Sequence, residues 1–148
     1  MSVPTYTIPG SAQLFTVTAH LGGSDISALN SSPVTLVAAP GAGVAVIPVE
    51  LDLEYVDGGT GFTTTNMLQL YWNSISDSNI AAPGGNGWST AIFGTHPTHT
   101  ALCVTISLSV QNTSIISNQP LILGLRTSNP TADGDLYVTL TYRLVPLN

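Results

Sequence analysis

Lysine is absent from this 148-residue chain, and its only basic residues are Arg126 and Arg143. Charged residues make up 7% of the chain, against about 25% in typical soluble domains. With eight acidic residues, the net charge is −6. Two arginines cannot neutralise the row of phosphates on which nucleic-acid binding depends. The negative charge also disfavours an anionic membrane surface. We therefore expect neither nucleic acid nor membrane as a partner, whereas a basic protein surface is compatible with the charge.

Cysteine occurs once, at Cys103, so no disulfide within the chain can stabilise the fold. No run approaches the roughly 20 apolar residues of a membrane-spanning helix. Residues 1–6 have neither the basic region nor the continuous apolar segment of a secretory signal. We therefore expect a protein that is made in a cytoplasm and reaches the outside of a cell only by release of a larger particle.

Threonine, serine and asparagine supply the polar surface that charged residues do not, with 19, 15 and 9 copies. Threonine suits the outer face of a strand, whereas the usual residues of an exposed helix, above all lysine and glutamate, are scarce. The 43% of hydrophobic residues is enough for a packed core. This composition predicts an all-β fold.

Alternating apolar and polar residues, separated by Pro- and Gly-rich turns, predict about eight strands in one domain of residues 13–148. Residues 1–12 contain Pro4, Pro9 and Gly10 among small polar residues, and are predicted to form an extended N-terminal arm. This number of strands fits both a jelly roll and an immunoglobulin-like Greek key. The predicted strands are residues 13–20, 26–29, 34–39, 44–55, 62–72, 102–110, 120–125 and 136–144.

The strand predicted over residues 44–55 carries the most concentrated charge of the chain. Glu50, Asp52 and Glu54 alternate with apolar residues, so all three carboxylates share one face. Carboxylates two residues apart on a strand lie about 7 Å apart. Three interpretations follow: a solvated face that discourages edge pairing, a contact for a basic protein partner, or a Ca²⁺-like site completed by Asp57 or Asp135.

Other groups that could carry chemistry lack the partners that chemistry needs. His96 and His99 are three residues apart and supply two ligands, whereas a zinc site needs three or four that converge. Asp133-Gly-Asp135 lacks the remaining ligands of a calcium loop and is read as a turn. Neither Cys103 nor any serine forms a recognisable catalytic pair with a histidine, and no Gly-x-Ser-x-Gly motif occurs. We therefore expect no enzyme activity, no cofactor and no metal.

Three stretches, residues 29–43, 118–123 and 134–144, resemble the head decoration (cement) proteins of tailed bacteriophages. The first reads Leu29-Asn-Ser-Ser-Pro-Val-Thr-Leu-Val-Ala-Ala-Pro-Gly-Ala-Gly43 and runs into the long acidic strand. The others read Asn118-Gln-Pro-Leu-Ile-Leu and Gly134-Asp-Leu-Tyr-Val-Thr-Leu-Thr-Tyr-Arg-Leu144. Together with the long strand to Tyr55, they cover about a third of the chain, and the strand order between them fits.

The resemblance implies a jelly-roll-like antiparallel β-sandwich that binds the outside of the phage head as a homotrimer. Its partner would be the major capsid protein, whose neighbouring subunits it would bridge and stabilise after expansion of the capsid. In such an arrangement Tyr6 and Ile8 of the arm would anchor on a neighbouring subunit or the shell. Glu50, Asp52 and Glu54 would then meet basic residues of the capsid.

Two other classes of protein use a β-sandwich of this size. A tail or baseplate component could bind host-surface carbohydrate by stacking sugars on Trp72, Trp88 and Tyr71, although aromatic residues more often lie in cores and interfaces. A cellular adhesion module is the third interpretation, and it ranks last because a secretory signal is not found.

Overall fold

The computed structural model describes residues 13–58, 68–76, 80–82, 101–107, 116–126 and 133–147. The predicted arm, with Tyr6 and Ile8, lies outside the described residues. So do Trp88, His96 and His99. The predictions made for these five residues are therefore untested by the structure.

The described residues form eight strands and one short helix, and the all-β prediction is confirmed. Every paired strand is antiparallel to its neighbour. The elements are β1 (Leu14–Leu21), α1 (Gly23–Ala28), β2 (Val34–Val37), β3 (Val44–Val56), β4 (Leu68–Trp72), β5 (Ile80–Ala82), β6 (Ala101–Ser107), β7 (Leu121–Leu125) and β8 (Asp135–Pro146).

The strands are divided between two four-stranded sheets. Sheet I has the order β1-β8-β3-β6, and sheet II has the order β2-β7-β4-β5. β8 and β3 are interior strands of sheet I, whereas β1 and β6 form its edges. The first and last strands of the chain are thus direct neighbours, with an unbroken register from the Leu14–Arg143 pair to the Leu21–Leu136 pair.

One hydrophobic core joins the two sheets. Alternate residues of β3 and β8 in sheet I, and of β4 and β7 in sheet II, point into this core. They alternate because successive side chains of a strand point to opposite faces of the sheet. The indole Nε1 of Trp72 donates a hydrogen bond to the carbonyl of Val46 at 3.0 Å, which satisfies the polar atom of this fully buried side chain. The alternating core residues are Leu51, Leu53, Tyr55, Leu136, Val138 and Leu140 from sheet I, and Leu68, Leu70, Trp72, Leu121, Leu123 and Leu125 from sheet II.

The central strands of sheet II are buried on both faces. All five residues of β7 are buried, which fits its continuous apolar sequence, and so are all five of β4. On the face away from the core, the hydroxyl of Tyr71 donates a 2.6 Å hydrogen bond to the side-chain carbonyl of Gln69. Ile75 packs over the same sheet beside Gly124.

The strand predicted over residues 26–29 is wrong, because α1 occupies this region. The side-chain carboxylate of Asp25 accepts a 3.1 Å hydrogen bond from the backbone N–H of Gly22, which satisfies a donor at the start of the helix. Ile26 and Leu29 are three residues apart and both fully buried, so one helical face packs into the core. Two apolar residues at this spacing fit a helix better than a strand.

The eight strands predicted from the sequence do not include residues 80–82. Ile80–Ala82 forms β5, which pairs with β4 through Tyr71 and Leu70. Pairing with a neighbouring strand outweighs weak local propensity here.

The long acidic strand is present as predicted and extends to Val56. Pro48 lies inside it, at a point where the register between β3 and β8 shifts: Pro48 is opposite Tyr142, and Glu50 is opposite Thr141. Val49 is the extra residue of this bulge. Because a bulge interrupts the hydrogen-bond ladder, it accommodates a proline that has no N–H to donate.

Candidate functional site

The outer face of sheet I carries the three carboxylates that the sequence singles out. We call Glu50, Asp52 and Glu54 the acidic column. Glu50 and Asp52 are half-buried and Glu54 is exposed, while the alternate residues Leu51 and Leu53 are fully buried. The three acids therefore point away from the core.

The acidic column lies in the interior of its sheet, between β8 and β6. This position argues against the interpretation that its charges protect a sheet edge, since an interior strand already has a partner on both sides. Thr141, Thr139 and Tyr137 of β8 lie opposite the three acids, and Thr16, Thr18 and His20 of β1 continue the same rows. On the β6 side, the backbone positions opposite them are Ser107, Thr105 and Cys103.

This face combines negative charge with small hydroxyl side chains. Residues directly opposite in an antiparallel pair share a face, so the threonines of β8 and β1 form a neutral strip beside the acids. Lining up carboxylates about 7 Å apart concentrates a negative potential along the strand. Such a face is suited to a basic protein surface.

At the Glu54 end of the acidic column lies a cluster of His20, Asp135 and Tyr137 that was not predicted from the sequence. The Nε2 atom of His20 lies 2.7 Å from the Oδ1 atom of Asp135, and both side chains are about half exposed. The imidazole also stacks on the ring of Tyr137, with 4.6 Å between the ring centres. His20 and Asp135 are 115 residues apart in sequence, so no local pattern could have paired them.

Asp57 and Asp135, the predicted helpers of a cation site, lie beyond the same end of β3. Asp57 is buried and Asp133 is exposed. Burial raises the pKa of Tyr55 well above its ordinary value near 10, and the carboxylates of Asp57, Asp133 and Asp135 raise it further. Among the residues that the structure describes, no group of three or more His, Cys, Asp or Glu side chains could hold a metal ion.

The sugar platform of the alternative interpretation is contradicted for two of its three residues. Trp72 and Tyr71 are both fully buried, so neither ring can stack on a carbohydrate. Alternation along β4 turns Trp72 into the core, and Tyr71 is covered on the opposite face of sheet II. In the described part of the chain, no helix is long and apolar enough to cross a membrane.

A chain of the cyanophage Pam1 capsid asymmetric unit is similar to this one, with 17% sequence identity and a TM-score of 0.44. The similarity covers 97% of this chain and 91% of that chain. No protein-family model matches the chain, and no curated protein matches it.

Proposed function

We propose that this chain is a structural protein of a tailed-phage virion that binds the outside of the head as a homotrimer. It stabilises the expanded capsid by bridging neighbouring major capsid subunits, and it has no enzymatic activity. The chain would be made in the host cytoplasm and act on the outer surface of the head. Many copies that each touch several subunits make weak single contacts effective through multivalency.

The strand order supports a jelly roll as the fold behind this function. Eight strands divided between two antiparallel four-stranded sheets fit a jelly roll. An immunoglobulin-like sandwich has the sheet orders ABED and CFG, in which the first and last strands belong to different sheets. Here β1 and β8 are neighbours in sheet I.

The observation that carries the proposal is that the first two stretches resembling decoration proteins are in contact, and that the third pairs with the strand that directly follows the first. Asn118 is the link between the first two, because its side-chain carbonyl accepts a 3.0 Å hydrogen bond from the N–H of Gly41. Its own N–H donates to the carbonyl of Val44 at 2.7 Å. The third stretch forms most of β8, which pairs with β3 from Val44 onward. Residues far apart in sequence thus form one framework that supports the acidic column.

The acidic column is the surface we assign to the capsid. Its three carboxylates share one outward face, and a trimer would present three copies of that face around its axis. A basic strip on the capsid would be attracted to this face and oriented by it. The neutral threonines of β8 and β1 would allow close approach without adding charge repulsion.

Neutralising two members of the acidic column tests this assignment. The variant Asp52→Asn with Glu54→Gln should bind expanded empty heads roughly tenfold more weakly. The loss of two ion pairs should cost about 1.4 kcal/mol of binding free energy, which corresponds to that factor. Its binding should also depend less on salt concentration. Co-sedimentation with heads over a range of protein and salt concentrations measures both effects.

A control with the same net charge separates the column from overall charge. The variant Asp25→Asn with Asp133→Asn also removes two exposed carboxylates, neither of which belongs to the acidic column. Equal binding by the two variants would contradict the assignment. Binding of either protein to a glycan array instead of heads would favour a receptor-binding component.

A further inference from the structure

Tyr137 presents an exposed aromatic ring beside the acidic column. It is 45% exposed, and in the described part of the chain it is the only aromatic residue among the exposed large hydrophobic side chains. On the outer face of sheet I it lies opposite Glu54 of β3 on one side and opposite His20 of β1 on the other. Tyrosine is enriched at protein interfaces, because its ring offers a large contact area at a small cost in conformational entropy.

His20 and Asp135 hold this ring in a fixed orientation. The imidazole of His20 stacks on the ring of Tyr137 with an angle of 14° between the two planes. The imidazole is itself fixed, because its Nε2 atom lies within hydrogen-bond distance of the carboxylate of Asp135. A ring that is already ordered loses little conformational freedom when a ligand packs against it.

The open face of the Tyr137 ring is turned toward the acidic column. β1 and β3 flank β8 on opposite sides, and His20 covers the ring face on the β1 side. The other face is therefore on the β3 side, where the exposed Glu54 lies opposite. Directly opposite residues of an antiparallel pair have Cβ atoms about 5 Å apart. An aromatic face and a carboxylate thus lie side by side at one end of a row of three negative charges.

We propose that Tyr137 and Glu54 form a subsite for an arginine side chain of the protein that binds the acidic column. The inference rests on the proposed function, because it names the side chain that this surface takes from its partner. A guanidinium group stacks on an aromatic ring within about 6 Å of the ring centre. Its N–H groups donate at the same time to a neighbouring carboxylate. The ammonium group of lysine is compact, strongly hydrated and not planar, so the subsite favours arginine.

The arginine that this chain itself carries on sheet I lies too far away to fill the subsite. Arg143 is on the same strand as Tyr137, where it lies opposite Leu14 and Ile47. Positions 137 and 143 of a strand are about 20 Å apart. Arg143 therefore lies beyond the Glu50 end of the acidic column, and the Tyr137 ring is left exposed for a partner.

The rest of the acidic column predicts how basic residues are spaced in that partner. Glu50, Asp52 and Glu54 recur at every second residue of β3, about 7 Å apart. An extended segment with basic side chains at alternate positions has the same spacing. Its arginine fits the end beside Tyr137, whereas the carboxylates of Glu50 and Asp52 accept either arginine or lysine.

Two peptides of equal charge test the preference for arginine. One is acetyl-Arg-Thr-Arg-Thr-Arg-amide, and the other has lysine in place of each arginine. Because each peptide has a basic residue at both ends, either direction of binding places one beside Tyr137. In nuclear magnetic resonance titrations of the full chain at low salt, the arginine peptide should bind about threefold more tightly. Equal affinities would overturn the inference and leave the proposed function intact, whereas binding of neither peptide would overturn both the inference and the assignment of the acidic column.

Substitutions of Tyr137 show whether its ring is the source of the preference. Tyr137→Leu should bind the two peptides equally, because leucine has no aromatic face. Tyr137→Phe should keep the threefold preference, because phenylalanine retains the ring. The side chain points away from the core, so the circular dichroism spectra of both variants should match that of the unsubstituted protein. A preference that persists in Tyr137→Leu, or one that is lost in Tyr137→Phe, would contradict the subsite.

Discussion

At the scale of single residues, Tyr55 shows how the end of β3 combines burial with charge. Its side chain is 1% exposed, and a Cβ on Gly134 would come within 2.6 Å of its ring. Asp57, Asp133 and Asp135 lie near enough to raise the pKa of its hydroxyl further. Neutral Tyr55 is therefore strongly preferred in the folded protein.

Alkaline pH should destabilise the fold through this residue. Because the pKa of Tyr55 is raised on folding, its contribution to stability is complete below the unfolded value near 10 and is lost as pH rises above it. Denaturant unfolding at pH 7 and pH 11 measures the effect. Tyr55→Phe should reduce the loss between the two pH values by about 1.4 kcal/mol, the value of one pH unit.

The comparison between the two pH values is its own control, because any packing change in Tyr55→Phe affects both of them. The same loss in the variant and the unsubstituted protein would show that Tyr55 does not govern alkaline stability.

Some residue positions could be predicted from sequence, and others could not. The outward direction of Glu50, Asp52 and Glu54 follows from strand periodicity, which acts between near neighbours. The burial of Trp72 and Tyr71 depends on what covers each face of sheet II, and a single strand carries no such information. The contact of His20 with Asp135 needs the pairing of the first and last strands.

At the scale of elements, β7 depends on a close approach at Gly124. Within sheet II, Gly124 lies opposite Gln69 of β4. Ile75 packs over Gly124 on one face of this sheet. The turn after α1 is joined to the same strand, since the amide of Asn30 donates to the carbonyl of Leu125 at 2.8 Å. A side chain at position 124 would therefore press on two neighbouring segments.

Gly124→Ala should destabilise the protein by about 1–3 kcal/mol through overpacking. The added Cβ would lie 2.8 Å from Cδ1 of Ile75 and 3.3 Å from the carbonyl oxygen of Leu29. Ile75→Val removes that Cδ1, so the double variant should lose less stability than the sum of the two single changes. Denaturant titration of the four proteins measures the coupling, and strictly additive losses would contradict this account of the contact.

Elements with strong internal periodicity could be predicted, and short ones could not. β3 and β8 combine long alternation with β-branched residues, and both were found at the predicted positions within two residues. α1 has six residues, of which Ile26 is the one buried in the core, and the N–H of Gly22 at its start is satisfied by Asp25. β5 has three residues and depends on pairing with β4. For such short elements, tertiary contacts determine the structure more than local propensity does.

At the scale of the whole molecule, the two sheets of the sandwich differ in which of their faces are exposed. Sheet II has central strands that are covered on both faces, whereas sheet I presents the acidic column and a strip of threonines on its outer face. The composition predicted the class of fold and the sign of the charge. It could not predict which strands are neighbours, because strand order depends on contacts between residues that are distant in sequence.

Binding to empty heads of the cognate phage, before and after expansion, tests the central claim most directly. The amount of protein that co-sediments per major capsid subunit is measured at increasing protein concentration. The account predicts saturable binding to expanded heads, at a fixed ratio, and little binding before expansion. Protein that stays in the supernatant with expanded heads at every concentration would contradict the account.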